Sequence, residues 1–309
     1  MISAKFLKTL LLISGVLALI LVATIIGRFS IHTSAPFVPM IDQADKMTVQ
    51  ISTNIVTLTR DGGGWDVSLS MAGSFKADGD KVKTLLNALK DLQLDDVISE
   101  QGNRASDFDM NPESATVIMA YGKNHAVLIG GVFGKQAADF NHVYFRYPDK
   151  PAIYLAHGLI RGELGEADLN SWRDRAVLNL AEDQVMTLQI NGPGFKTALA
   201  RSSDTWSLNG HIVDPAPVWG LLGQLAHLRA DEFLSPSTHP EWTPDKLTYA
   251  TVTLQVKDGS THSLHIGRQD TASKRYPVTV DQDPTVFGIA ENTIKALLRK
   301  PADFPIKKS

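Results

Sequence analysis

A chain of 309 residues is longer than one ordinary domain and suits two, because domains cluster near about 100–150 residues. Its 43% hydrophobic and 20% charged content is globular, which excludes collagenous, low-complexity and disordered classes. Thirty Lys and Arg against 33 Asp and Glu leave a net charge of −3, with no basic surplus to neutralise a phosphate backbone, and the absence of cysteine excludes a disulfide framework, a thiolate nucleophile and a cysteine-based metal site.

The first element is apolar. Thr9 to Gly27 are 19 residues without a charge, and a helix of that length spans about 28 Å, the hydrocarbon thickness of a bilayer. A cleaved secretory signal is the competing reading, since Lys5 and Lys8 precede the stretch. Such signals have shorter apolar runs that end at small-x-small sites, and the nearest candidate, Thr33-Ser34-Ala35, lies well beyond Gly27 and abuts Pro36. A retained membrane helix over 9–27 is therefore expected, with residues 1–8 in the cytoplasm and the remainder outside, following the weak basic bias before the span. Beyond residue 30 the balance is 27 basic to 33 acidic residues, a net of −6, which argues against docking on anionic lipid headgroups. Residues 28–45 carry Pro36 and Pro39 and no sustained periodicity, and read as a tether.

From residue 46 the chain reads as two copies of one module. Alternating strands are expected at Met47 to Thr53, Ile55 to Thr59 and Trp65 to Ser70, with a glycine turn at Asp61 to Gly64. Val82, Leu85, Leu86, Leu89 and Leu92 then fall on one face of a helix that starts at Asp78. Strands follow at Ala115 to Tyr121, Ala126 to Ile129, Val143 to Arg146 and Ile153 to Leu155. The second half repeats the pattern. Val218, Leu221, Leu222, Leu225 and Leu228 each stand 136 positions after their counterparts, as does Asp214 after Asp78. Its strands are expected at Met186 to Ile190, Phe195 to Ala200, Trp206 to Leu208, Tyr249 to Val256, His262 to Ile266, Tyr276 to Val280 and Val286 to Ile289, before a closing helix through Ile294, Leu297 and Leu298. Short alternating strands joined by glycine turns imply antiparallel pairing with helices on one face. The expected class is α+β: module one over 46–165, a connector over 166–182 and module two over 183–309, each an antiparallel sheet with one long covering helix.

Chemistry-bearing motifs are sparse. Gly130 to Gln136 resembles a P-loop, but its second glycine comes one place early and Gln136 replaces the hydroxyl residue, so a glycine-rich strand exit is the better reading. His262 and His265 lie three apart on an expected strand, which points them to opposite faces rather than at one metal. The carboxylate pairs Asp95-Asp96, Asp107-Asp109 and Asp281-Asp283 sit at helix ends or loops, where acids commonly cap. Trp172-Arg173-Asp174-Arg175 reads as a connector whose Trp packs on a module and whose charges cap helices or pair in solvent. Trp219 and Trp242 are read as packed against their own module rather than as interface anchors. No catalytic, cofactor-binding or metal-binding residue is assigned, no cofactor is expected, and the chain is not read as an enzyme.

Each module resembles the bacterial domain of unknown function 4340. The residues that carry the likeness are Trp65, Asp78, Leu85-Leu86, Ile129-Gly130, Tyr144 and Ile153-Tyr154, then Trp206, Asp214, Leu221-Leu222, Ile266-Gly267, Tyr276 and Val286-Phe287, together with the Trp172 to Arg175 connector. The resemblance, read as two tandem copies, implies a single-pass protein of the bacterial inner membrane with its domains in the periplasm, linked with auxiliary components of gliding-type ABC transporters. The expected role is an anchored interaction module, an accessory subunit of an ABC-type transport or cell-envelope complex. A cell-envelope hydrolase using loop carboxylates and a structural spacer are the alternatives. The expected partners are the membrane, through the chain's own helix, and a membrane protein such as a transporter permease; nucleic acid is not expected, and the oligomeric state is left open.

Overall fold

The computed structural model describes residues 40–69, 73–102, 104–235 and 239–307. The stretch expected to cross a membrane, 9–27, lies outside the described residues. Among those described, no helix is long and apolar enough to cross one.

The first half folds as β1 (Lys46–Ile51), β2 (Asn54–Asp61), β3 (Gly64–Leu69), β4 (Ser74–Lys76), helix α1 (Gly79–Asp91), β5 (Gln93–Ser99), β6 (Thr116–Tyr121), β7 (Val127–Gln136), β8 (His142–Arg146) and β9 (Ile153–His157). A short helix α2 (Leu169–Trp172) follows. The second half gives β10 (Val185–Gly192), β11 (Phe195–Ser202), β12 (Thr205–Leu208), β13 (His211–Ile212), α3 (Pro215–Ala226), β14 (Glu232–Leu234), β15 (Ala250–Val256), β16 (Thr261–Ile266), β17 (Tyr276–Val280), β18 (Val286–Ile289) and α4 (Glu291–Leu297). The strands form two nine-stranded sheets, ordered β4-β3-β2-β1-β6-β7-β8-β9-β5 and β13-β12-β11-β10-β15-β16-β17-β18-β14. One order is the other advanced by nine, so the sheet module is repeated. The fold is α+β, mostly antiparallel sheet with few helices.

By its contacts the chain parts into two compact units. One holds the described residues up to Thr53 and Lys83–Gly165; the other holds Asn54–Val82 and the residues from Glu166 onward.

All ten residues of the two leucine stripes are buried, with Leu85, Leu89, Leu92, Val218, Leu222 and Leu225 fully so. Burying each such side chain stabilises by about 1.5–3 kcal/mol relative to leaving it in water. The helix starts are fixed by carboxylates. Asp78 Oδ1 accepts from the backbone N–H of Asp80 and Lys81 at 3.1 and 3.2 Å, and Asp214 Oδ1 accepts from Ala216 at 3.0 Å, with Pro215 in the first turn where its missing N–H costs nothing. In the second unit the α3 stripe shares one core with Leu188, Ile190, Leu254 and Trp206.

Four strands were not expected: β4, β5, β13 and β14. Each is an edge strand, and the two or three residues of β4, β13 and β14 carry no period. β5 lacks alternation for another reason, a bulge between Leu94 and Val97. The glycine-rich stretch also differs from expectation, because it lies inside β7 rather than at a strand exit, with Gly130 and Gly131 opposite Met119 and Ile118. Close packing explains the glycines: a Cβ at Gly134 would stand 2.1 Å from the carbonyl oxygen of Phe108.

Gly134→Ala should therefore lower the stability of the protein by about 1–3 kcal/mol, the usual cost of overpacking. Gly63→Ala, where a Cβ meets nothing within 4 Å, should stay within about 0.5 kcal/mol. Urea unfolding midpoints compare the two, and equal midpoints would contradict the close approach at β7.

Candidate functional site

The connector of the second unit is built from its tryptophan outward. Asp168 caps α2 by accepting from the Ser171 N–H at 2.8 Å, and Trp172 at the end of that turn is fully buried, its indole N–H donating to the Glu166 carbonyl at 2.6 Å. Lys81 lies 4.9 Å from the Trp172 ring centre and donates to the Ser171 carbonyl at 2.8 Å. Burial lowers its ammonium below the ordinary lysine range, partly offset by Glu166 and Asp78.

Trp172 so placed leaves the next residues extended. Arg173 forms an isolated bridge with Ala77, the Asp78 N–H donates to the Trp172 carbonyl at 2.7 Å, and the Asp174 N–H donates to the Lys76 carbonyl at 2.8 Å. The Arg173 side chain is then held between two rings, its guanidinium carbon 3.8 Å from the centre of Phe75 and 3.7 Å from that of Phe233. Burial lowers its pKa to about 10, with Asp283 pulling the other way. The flat faces of the guanidinium are thus covered, and only its edge N–H groups remain for hydrogen bonding. Their one side-chain partner among the described residues is Asn170 Oδ1 at 3.4 Å, and no carboxylate there lies within ion-pairing distance. This departs from the expectation that the connector charges cap helices or pair in solvent. Asp174 caps no helix: it accepts from the Ala176 N–H two residues on at 2.9 Å and pairs with the exposed Lys76 at 3.7 Å, while Arg175 donates to the Asp231 carbonyl at 2.9 Å.

Arg173 lines a groove of about 630 Å³ with Phe75, Asp174, Phe233, Asp283 and Phe287. A neighbouring cavity of about 390 Å³ shares Phe75, Arg173 and Phe233 and adds Asn170, Leu234 and Thr285. Volumes of this size admit a small ligand or a few residues of peptide. A cation whose faces are apolar and whose edge is open suits a planar anion, a carboxylate above all.

The other residues singled out by sequence fall apart. His262 and His265 stand on β16, and His262 instead pairs with Asp281, Nδ1 to Oδ2 at 3.1 Å. Asp107 pairs with Arg104 at 2.6 Å, and Asp283 accepts from the Thr285 N–H at 2.7 Å. Trp219 packs edge-on to Trp206 with ring centres 6.2 Å apart, and Trp242 stacks on His239 at 3.8 Å. Asp95 is the exception among the carboxylate pairs. It is joined in the first unit by His142 and His157, and the three ligand atoms lie within 4.8 Å of one another. No short motif could reveal that set, since the partners stand 47 and 62 residues from Asp95. The pairing of β8 with β9, which sets His142 opposite His157, and of β9 with β5, which carries Asp95, brings them together.

The fold and groove define an α+β protein of two repeated antiparallel sheets, without a recognisable catalytic motif. The family described as Domain of unknown function (DUF4340) matches residues 65–249, more than half of the chain, and the chain belongs to it. No curated protein and no solved structure matches the chain.

The ring sandwich should appear as an energetic coupling. In a double-mutant cycle of Arg173→Ala with Phe233→Leu, unfolding free energies should deviate from additivity by about 0.5–2 kcal/mol. Additive effects would mean that the stacked geometry contributes nothing.

Proposed function

We propose that this chain is a single-pass, membrane-anchored periplasmic module that works by binding, as an accessory subunit of an ABC-type transport or cell-envelope complex, and that its repeated sheets are two tandem copies of the family domain. The observation that carries the binding reading is the groove at Arg173. A half-buried guanidinium without a carboxylate partner among the described residues is costly to keep unless something compensates it. An extended segment of a membrane partner that ends in, or carries, a carboxylate would do so, its apolar residues lying against Phe75, Phe233 and Phe287. Support for the location comes from the uncharged stretch Thr9–Gly27, the preceding Lys5 and Lys8, and the net −6 beyond residue 30. The repeated strand order supports the tandem reading.

The test is recovery of partners after extraction of the full-length protein in mild detergent. A membrane protein should co-purify with the wild type, and Arg173→Ala should reduce its recovery by tenfold or more, whereas Trp242→Ala, away from the groove, should not. Circular dichroism checks that each variant is folded. Failure to recover any membrane protein with the wild type would sink the proposal, as would undiminished recovery with folded Arg173→Ala.

A further inference from the structure

The histidines at the far edge of the first sheet are placed by backbone geometry. β8 and β9 pair so that His142 stands directly opposite His157, with ring centres 5.8 Å apart, and directly opposed residues of an antiparallel pair share a face. On the other side of β9, Gln93 of β5 opposes His157, and the bulge after Leu94 sets Asp95 beside both imidazoles. Immediately after His157, Gly158 has a φ of +94° and passes so close to the end of α1 that a Cβ would stand 1.9 Å from the Asp91 carbonyl oxygen. Only glycine allows that turn, so the end of β9 is fixed against the helix that delivers β5.

The hydrogen bonding then leaves a charge to be accounted for. Asp139 Oδ2 lies 2.5 Å from His142 Nδ1, and Asp139 Oδ1 accepts from the backbone N–H of Asn141 and His142 at 3.1 and 3.3 Å. The proton of a neutral His142 therefore sits on Nδ1, and Nε2 presents a lone pair. That lone pair faces Asp95 Oδ2 at 3.1 Å, and the same oxygen lies 2.5 Å from His157 Nδ1. Two acceptors do not approach each other without a cation between them. No Lys or Arg among the described residues ion-pairs with Asp95.

The second sheet shows how the same position is resolved otherwise. Counting from the equivalent pairs Val97↔Tyr154 and Phe233↔Phe287, and from Phe145↔Tyr154 and Val278↔Phe287, the counterparts of Asp95, His142 and His157 are Asp231, Arg275 and Ala290. There Asp231 Oδ2 accepts from the Ala290 N–H at 2.7 Å and has the Arg275 guanidinium 3.9 Å away. A fixed positive charge stands where the first sheet has two imidazoles.

We propose that Asp95, His142 and His157 form a binding site for one divalent transition-metal ion of the zinc type, with Asp139 as the outer carboxylate that orients His142. Two imidazoles and one carboxylate are a borderline donor set that suits zinc and its neighbours and disfavours calcium and magnesium, which take oxygen ligands. Bonds of about 2.0–2.2 Å would draw the donor atoms around one ion with small side-chain rotations, and the partly exposed side chains leave a further position for water. The Asp139–His142 contact is the carboxylate–imidazole–metal relay that fixes the tautomer of a ligand. Such an ion would tie the bulged edge strand β5 to β9 and β8. This inference is independent of the Arg173 groove, which lies in the other unit.

The experiment uses full-length protein freed of any affinity tag and stripped of metal. Zinc sulfate is titrated against a chromogenic chelator, and cobalt(II) chloride is added separately for its visible absorption. The wild type should take up one zinc per chain at this site, give a cobalt spectrum of low coordination number and melt at a higher temperature with zinc. His142→Ala and His157→Ala should lose that equivalent and the cobalt bands, Asp139→Asn should weaken binding by about 10–100-fold, and His262→Ala should change nothing. Where an alanine variant does not fold by circular dichroism, His157→Gln replaces it. A wild type that takes up no zinc, or folded His142 and His157 variants that take up as much as the wild type, would overturn the proposal and leave the cluster as an ion pair closed by a proton.

Discussion

The burial of one leucine stripe per module is the constraint on which the rest of this structure depends. In each sheet the long helix joins the two outermost strands, β4 to β5 across the first and β13 to β14 across the second. Both stripes are buried, and that of α3 shares one core with the strands of its own sheet, so α3 covers that sheet on the way from β13 to β14. Edge strands carry unpaired backbone and exposed side chains, and proteins place covering segments or function there. Phe75 stands on β4 at the entry to α1, and Asp95 stands on β5 at its exit. The helix that builds the core thus also sets where chemistry can collect.

A second constraint is the way each helix entry is closed. Asp78 donates its N–H to Trp172 and Lys76 accepts from Asp174; at the equivalent place Asp214 donates to Pro305 and Ile212 accepts from Lys307, at 2.7, 2.8, 2.9 and 2.9 Å. The bridges Ala77↔Arg173 and Val213↔Ile306 lie at the centres of these pairs. One backbone arrangement therefore occurs twice, with Arg173 in one copy and the exposed Ile306 in the other. Backbone pairing satisfies the same N–H and C=O groups in both. It leaves the central side chain unconstrained, and only the first of the two central residues is a cation.

How much of this was legible in the sequence follows from what each signal measures. Leu85, Leu89, Leu221 and Leu225 could be assigned to buried helix faces because a 3.6 period persists over three turns. β15 was legible because Val252 and Leu254 alternate with Thr251, Thr253 and Gln255, and β6 because Thr116 to Tyr121 is a short run rich in β-formers. β5 was not, because its bulge breaks the period of two at the residue, Asp95, that matters for the site. The stacking of Arg173 is not legible, because a run of Trp-Arg-Asp-Arg carries no indication of which rings will approach it; Phe75 and Phe233 are about 100 and 60 residues away in the chain. The Asp95, His142 and His157 set depends on register between three strands, and register is fixed by pairing and bulges rather than by any spacing within one segment.

The two sheets also show why a repeated fold does not settle a repeated function. Asp95 and Asp231 occupy the same place after the same helix, yet the first is surrounded by imidazoles and the second accepts from the Ala290 N–H beside Arg275. The carboxylate stands at the same place in both, but its partners are side-chain imidazoles in the first sheet and a backbone N–H in the second. An arginine supplies a permanent cation and closes the position, since a guanidinium stays protonated and offers no lone pair. Imidazoles offer lone pairs and leave room for an ion or a proton. Chemistry in this protein is therefore set position by position, by the donor set that each edge presents, with the shared strand order fixing only where those positions lie.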